Sequence, residues 1–216
     1  MLSSTEPPKT SIQLLPAEEV LPRSTRIPFS QAINWRPAHN DDSVPEPVVS
    51  VFMTRPAFSE CCNHAMSDMD NEVGGWLLGK WRTDKETNKQ FIIVDTILPA
   101  QNTVSRSTYL TFTQQSQVDL RNHLDEKYPD KELVGWFHTH PRMGVFLSSY
   151  DTWLHQHFFP ELWQVALVIE PHSEVGGFFV RQKDGVLDPR QYYGFYELVD
   201  NIEQSVVDWH NLTISP

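Results

Sequence analysis

The stretch "GWFHTHPRMGVFLSSYD", Gly135 to Asp151, sets an apolar run directly before two histidines one residue apart and closes on a serine and an aspartate three apart. Joined to the preceding Leu133 and Val134, it predicts a β-strand, "LVGWFHTH", from Leu133 to His140. The period of two puts His138 and His140 on one face and Thr139 on the other, and Pro141 ends the ladder because it brings no N–H. "SSYD" predicts a helix start at which Ser148 and Asp151, at i and i+3, stand one above the other. A rigid strand end and a helix start thus aim two imidazoles and a carboxylate at one point.

Working outward, "VVSVFMT" from Val48 predicts a first strand, followed by a helix led by Pro56 and running to about Met69. "EVGGWLLGKW", "QFIIVDTIL" and "TYLTFT" predict three strands. "QQSQVDLRNHLDEKY" predicts an amphipathic helix on Val118, Leu120 and Leu124, and "WQVALVIE", "GGFFVRQ" and "YYGFYELV" predict further strands. Helices interspersed with mostly apolar strands indicate an α/β (α+β) sandwich. Half of the sixteen prolines lie before Val48, and proline at that density blocks helix and sheet ladders alike. Residues 1–47 therefore form an extended arm, or a docking arm whose Ile12, Leu14, Leu15, Ile27, Phe29 and Trp35 lie in a groove. The catalytic domain is expected over residues 48–200, with a carboxy-terminal tail over 201–216.

Composition narrows the function. The 216 residues suit one domain, and 39% hydrophobic residues with twelve Phe and seven Trp give it material for a packed core. A formal charge of -11 with no Lys/Arg run argues against nucleic acid as a partner. No apolar run has the length of a membrane span and no secretory leader opens the sequence, so neither a membrane nor export is expected. The adjacent Cys61 and Cys62 cannot staple a loop or form a zinc knuckle, and the default setting is a reducing cytoplasm.

Zinc takes neutral imidazole nitrogen and carboxylate oxygen at about 2.0–2.2 Å, and a hydrolytic site keeps three protein ligands and one open place. That is the number available in His138, His140 and Asp151. Taken separately, His-x-His also fits two ordinary strand histidines, and Ser-x-x-Asp also fits a helix cap; their joint occurrence favours a metal site. There is no Cys-x-x-Cys of a nucleobase deaminase, no His-Glu-x-x-His helix and no Asp-His after "HTH".

These motifs, "EVGGWLLG" at Glu72 to Gly79, "HTHP" at His138 to Pro141 and "SSYD" at Ser148 to Asp151, resemble in order and spacing the JAMM (MPN+) zinc metalloproteases. The likeness spans roughly Val48 to Leu198. "HTHP" with "FLSSYD" looks like the AMSH branch of deubiquitinases. The lack of that branch's amino-terminal helical domain, and "HQHFFPELWQVALVIEP" in place of its second metal-binding insertion, look more like bacterial relatives encoded beside ubiquitin-like conjugation enzymes. The resemblance implies a deaminase-like sandwich of a mixed β-sheet flanked by helices. It also implies that His138, His140 and Asp151 bind zinc (Zn2+), that Glu72 is the general acid/base and that Ser148 steadies the oxyanion.

The activity so implied is a zinc isopeptidase that removes a ubiquitin-like protein from lysine conjugates or processes its precursor, with conjugation-pathway enzymes as further partners. A hydrolase of a small peptide or sulfur-carrier precursor and a non-catalytic MPN scaffold stay open beside it, and the complete five-residue set speaks against the scaffold. A glycine-ending tail is expected along Gln101 to Thr113. His155 and His157 are set aside as surface or core histidines, and Cys61 and Cys62 as small buried hydrophobes.

Overall fold

Valine, isoleucine and aromatic residues dominate the segments that form the sheet, in near-continuous apolar runs. Such runs suit strands covered on both faces. The computed structural model describes residues 21–39, 44–100, 104–106, 109–111, 114–199 and 204–215, with side chains described except at 104–106, 109–111, 114–117 and 119. Ahead of the expected domain come β1 (Arg23–Thr25), a 3-10 turn (Phe29–Gln31) and β2 (Ala32–Pro37). β3 (Val49–Thr54) leads straight into α1 (Arg55–Ala65), and the antiparallel pair β4 (Gly74–Asp84) and β5 (Gln90–Pro99) follows. A separate two-stranded hairpin, β6 (Val104–Arg106) and β7 (Tyr109–Thr111), precedes α2 (Gln114–Lys127). The chain continues through β8 (Glu132–Thr139), α3 (Ser149–Phe158), β9 (Val165–Glu170), β10 (Val175–Phe179), β11 (Phe195–Leu198) and β12 (Leu212–Ile214).

The main sheet is mixed and runs β10-β9-β8-β4-β5-β3-β11-β2-β12, with β1 added in parallel beside the far end of β4. Its parallel pairs are β3 with β5, β3 with β11, and β8 with β9. This is the mixed α/β architecture expected from the sequence. The sheet also curls back on itself. Phe178 exchanges two backbone hydrogen bonds with Tyr193 just before β11, and Val48 N–H donates to Arg181 O at 2.8 Å just before β3. Asn211 completes the closure at β10, its side-chain amide accepting from Gly176 N–H at 3.1 Å and donating to Gly176 O at 3.0 Å.

Two apolar cores result, one on each face. Phe58, Cys61 and Ala65 of α1 join Met53, Leu77, Ile92, Phe137, Leu167 and Phe195 in the first. Leu120 of α2 and Leu154 of α3 join Trp76, Leu78, Trp136, Val168 and Phe179 in the second. Successive residues of β4 and β8 thus serve opposite cores, which explains their unbroken hydrophobicity. Two glycines permit the close strand approaches this needs. A Cβ at Gly79, where β4 bulges, would lie 1.8 Å from Ile93 O, and one at Gly135 in β8 would lie 2.2 Å from Val165 O.

Parts of both terminal stretches belong to this sheet. β2 lies between β11 and β12, Trp35 is buried, and its indole donates to the buried Glu197 at 3.1 Å. Within the tail, Val207, Trp209 and Leu212 are buried in the same core as α1. Arg55 at the start of α1 and the Val206 N–H also donate to Glu197, so one carboxylate ties the amino-terminal stretch, the domain and the tail together. The anchors Ile12, Leu14 and Leu15 lie outside the described residues. α1 stops at Ala65, short of the expected Met69, because the backbone turns at Met66 and Ser67 into a loop held by Asp68. No helix among the described residues is long and apolar enough to cross a membrane.

Candidate metal centre

β8 delivers His138 as the alternation predicts. Its ring is fully buried and stacks on Trp136, two residues earlier on the same face, at 4.5 Å between centroids. Pro141 ends the ladder, yet His140 stays in line because its N–H donates to Ile169 O at 2.8 Å. Its ring packs against Phe146 of the following loop. Thr139, on the opposite face, bonds reciprocally with Val73: Thr139 N–H donates to Val73 O at 2.8 Å and Val73 N–H to Thr139 Oγ1 at 2.9 Å.

Asp151 comes from the first turn of α3. Ser148 is the N-cap, its Oγ accepting from Asp151 N–H at 3.1 Å, while Asp151 Oδ2 accepts from Ser148 N–H at 2.7 Å. The helix-cap alternative for Ser-x-x-Asp is therefore what the structure contains, and it coexists with the convergence. The reciprocal bonds of this capping box fix the carboxylate's direction. His138 Nε2 lies 3.4 Å from Asp151 Oδ1, His140 Nε2 lies 3.5 Å from Oδ2, and the two Nε2 atoms are 2.9 Å apart.

The geometry and the donor set suit a cation. Ligand atoms around a tetrahedral zinc with bonds of about 2.0–2.2 Å stand about 3.3–3.6 Å apart, so two of the three separations already have that spacing and the third is shorter. Burial pushes the His138 imidazole below its ordinary pKa, against the pull of Asp151, and favours the neutral form that a metal needs. Burial alone would raise the Asp151 carboxyl, but whenever the imidazoles carry a proton on Nε2 in place of a cation, the His138 charge and hydrogen bonds from His138, His140 and Ser148 hold it far below the usual carboxylate range. Both Nδ1 atoms are buried with no hydrogen-bond partner among the described residues. Buried polar atoms are seldom left so. Two neutral imidazoles protonated at Nδ1 and a carboxylate present converging lone pairs, which a cation between them would relieve. His138, His140 and Asp151 are the group of metal-capable side chains found among the described residues.

Glu72 is almost fully buried. It does not lie on a strand as expected: β4 begins at Gly74, and Glu72 sits in the preceding turn. The Thr139–Val73 pair and the register Gly74↔His138 bring this turn to the histidine end of β8. Sequence reading missed the buried Thr139 as the anchor of that turn, since a threonine on the face away from the histidines looks like any other. His155 proves to be a core histidine. Its Nδ1 accepts from Trp136 Nε1 at 3.1 Å, and burial with the nearby Arg181 charge takes its pKa down to about 3. Trp136, flat on His138 and bonded to His155, is thus a support for the site that sequence reading also passed over. Cys61 is buried and Cys62 is half-buried, and burial pushes the Cys62 thiol up to about 12, as befits packing residues.

The sequence profile of the family described as JAB1/Mov34/MPN/PAD-1 ubiquitin protease matches residues 46–160. The chain is 27% identical over 180 residues to COP9 signalosome complex subunit 5 of Kluyveromyces lactis, an alignment covering 82% of this chain and 42% of that protein. It is 28% identical over 130 residues to ubiquitin carboxyl-terminal hydrolase RPN11 of Saccharomyces cerevisiae, covering 59% and 40%. It is also 30% identical over 126 residues to NAD(+) hydrolase TcpA of a Theionarchaea archaeon, covering 57% and 35%. The chain spans about two fifths of the length of these relatives. In fold, it is similar to the solution structure of protein DSY2949 from Desulfitobacterium hafniense, with a TM-score of 0.51 at 21% identity over 69% of this chain and 95% of that one.

Proposed function

Because the chain belongs to the JAB1/Mov34/MPN/PAD-1 ubiquitin protease family, we propose that it is a zinc-dependent isopeptidase that releases a ubiquitin-like protein from lysine conjugates or a precursor. The observation that carries this reading is the convergence of His138 Nε2, His140 Nε2 and the Asp151 carboxylate within 4.8 Å of one another. Two relatives carry supporting names, a ubiquitin carboxyl-terminal hydrolase and a COP9 signalosome subunit.

His138, His140 and Asp151 would hold the zinc, whose chemistry when bound is to lower the pKa of a water and polarise the scissile carbonyl. Glu72 takes the water's proton and hands it to the leaving amine. Ser148, whose Oγ accepts from Asp151 N–H, meets the charge that develops on the carbonyl oxygen by turning its O–H from the Asp151 carboxylate to that oxygen. Trp136 and Phe146 wall the histidines with apolar surface, which keeps bulk water from weakening these interactions.

For the substrate tail we propose strand addition beside β6 and β7, whose register runs Val104↔Thr111, Ser105↔Leu110 and Arg106↔Tyr109. Of the expected segment Gln101 to Thr113, residues 101–103, 107–108 and 112–113 lie outside the described residues.

The test combines metal analysis with cleavage of fusions carrying Gly-Gly, Ala-Ala or Val-Val before the scissile bond. About one zinc per chain and preference for Gly-Gly are expected. Glu72→Gln should keep zinc and lose about a hundred- to ten-thousand-fold in turnover. Full activity without metal would sink the reading, and near-normal turnover in a zinc-loaded Glu72→Gln chain would remove Glu72 from its role.

A further inference from the structure

The turn that carries Glu72 is held from a direction the site itself does not explain. Glu170, at the end of β9, is buried, and its carboxylate accepts three backbone N–H groups: Arg142 at 3.0 Å, His172 at 2.9 Å and Ser173 at 2.9 Å. Arg142 follows His140-Pro141 directly and has a φ of 62°, a left-handed backbone that a non-glycine residue adopts only when its surroundings enforce it. Glu170 therefore fixes two loops at once, the one that leaves the histidines and the one that leaves β9.

Both loops reach across to the Glu72 turn. His172 Nε2 donates to Met69 O at 2.7 Å, and the Arg142 guanidinium lies 3.3 Å from Asp70 Oδ1. Of the two bridges, Arg142–Asp70 is exposed on both sides and worth little alone. The bond to the Met69 carbonyl is exposed as well, but it is short and pins main chain three residues before Glu72. On its other side the turn is held by the Val73 N–H bond to Thr139 Oγ1 at 2.9 Å.

We propose that Glu170 is a positioning residue, whose carboxylate, acting through Arg142 and His172, clamps the Glu72 turn against the histidine end of β8. The clamp stands on geometry alone. Its consequence for turnover rests on the reading of Glu72 as the proton carrier. Glu170→Gln keeps the shape but turns one acceptor oxygen into an NH2: at the Oε1 position it breaks the Arg142 and His172 bonds, and at the Oε2 position it breaks the Ser173 bond and weakens the His172–Ser173 loop. The turn then loosens, and Glu72 spends less time at the distance that proton transfer needs. A misplacement of that order costs about ten- to a hundredfold in turnover.

The experiment measures backbone hydrogen exchange over residues 69–73 in the full zinc-loaded chain and, separately, fusion cleavage, for wild type, Glu170→Gln, His172→Ala, Glu72→Gln and the Glu72→Gln/Glu170→Gln double variant. Glu170→Gln and His172→Ala should each speed exchange at Val73 about tenfold with zinc retained. Glu170→Gln should lower kcat with KM nearly unchanged, and should cost little further in the Glu72→Gln background, because the two act as a unit. Unchanged exchange in both single variants overturns the clamp. An equal extra loss of turnover in the Glu72→Gln background overturns its action through Glu72. Should Glu170→Gln fail to fold, His172→Ala on the exposed loop decides by the same exchange readout. A wild-type chain that cleaves no fusion would count against the isopeptidase reading, and the exchange measurement would still decide the clamp.

Discussion

Replacing Ser148 separates two tasks assigned to one hydroxyl. Its Oγ caps α3 by accepting from Asp151 N–H, and its O–H is proposed to meet the oxyanion. Ser148→Ala removes both, whereas Ser148→Gly removes the donor at less cost to the cap. Loss of a serine N-cap to alanine costs about 1 kcal/mol, and to glycine only a few tenths. In a chain of this size about 1 kcal/mol corresponds to a Tm change of about 2–4 °C, so the alanine variant should melt about 2–4 °C lower and the glycine variant within about 1 °C of wild type. Zinc content should hold in both, because the Ser148 backbone N–H bond to Asp151 Oδ2 at 2.7 Å does not involve the side chain. Turnover should instead fall about a hundred- to a thousandfold in both, as when one oxyanion donor is removed. Thermal melts by circular dichroism, metal analysis and fusion cleavage on the same preparations read the three quantities. Turnover that tracks Tm, falling in alanine and recovering in glycine, would show that Ser148 serves only as a cap. Loss of zinc in both would mean that the effect runs through Asp151, and would equally refute the reasoning.

Deleting residues before Val48 should unfold the chain, since it removes β2 and the buried Trp35 that bonds to Glu197. Emptying a buried tryptophan site costs about 3–5 kcal/mol, a large part of a domain's roughly 5–15 kcal/mol; a truncated chain with native circular dichroism and bound zinc would contradict this. Asp84 accepts from Ile27 N–H and from the Thr87 hydroxyl and N–H, bonds that hold its carboxyl down to about 2. With the folded pKa below the unfolded value of about 3.9, its stabilisation is complete above about pH 4 and is lost as the pH falls towards about 2. Asp84→Asn should therefore unfold less steeply with acid across that window, and superimposable acid curves would remove Asp84 from the account. Stripping zinc with a chelator should lower Tm by several degrees, with recovery on adding zinc and none on adding magnesium, because binding to the folded site alone adds its free energy to stability; an unmoved Tm would mean the three side chains hold no structural ion.

Much of the candidate centre was legible because it depends on short-range geometry. The period of two placed His138 and His140 together, and the helix start placed Ser148 over Asp151, with no knowledge of distant contacts. The mixed sheet flanked by helices was readable for the same reason, since β3, β5 and β9 announce themselves by β-branched residues and β8 by its apolar "LVGWF". Glu72 was read onto a strand because Gly74–Asp84 continues so strongly from it; the turn that holds it depends on Thr139, more than sixty residues away in sequence. Glu170 was likewise invisible, its importance arising only where three loops meet. The prolines before Val48 argued against a ladder, yet β2 places Pro37 at its end, where a missing N–H is tolerated, and leaves Trp35 free to pack.

The sheet's curl also bears on how this protein behaves when crowded with copies of itself. A long sheet with open borders invites strands from neighbouring molecules, and that is the usual first step of edge-to-edge aggregation. At the β10 border, the amide of Asn211 occupies both bonding groups of Gly176, and Tyr193 occupies those of Phe178. At the other border β12 offers only the three residues Leu212–Ile214. Recruitment of an extended foreign segment is thereby discouraged at these two borders of the main sheet, whereas the separate hairpin of β6 and β7, where we propose that the substrate tail adds, lies outside that protection.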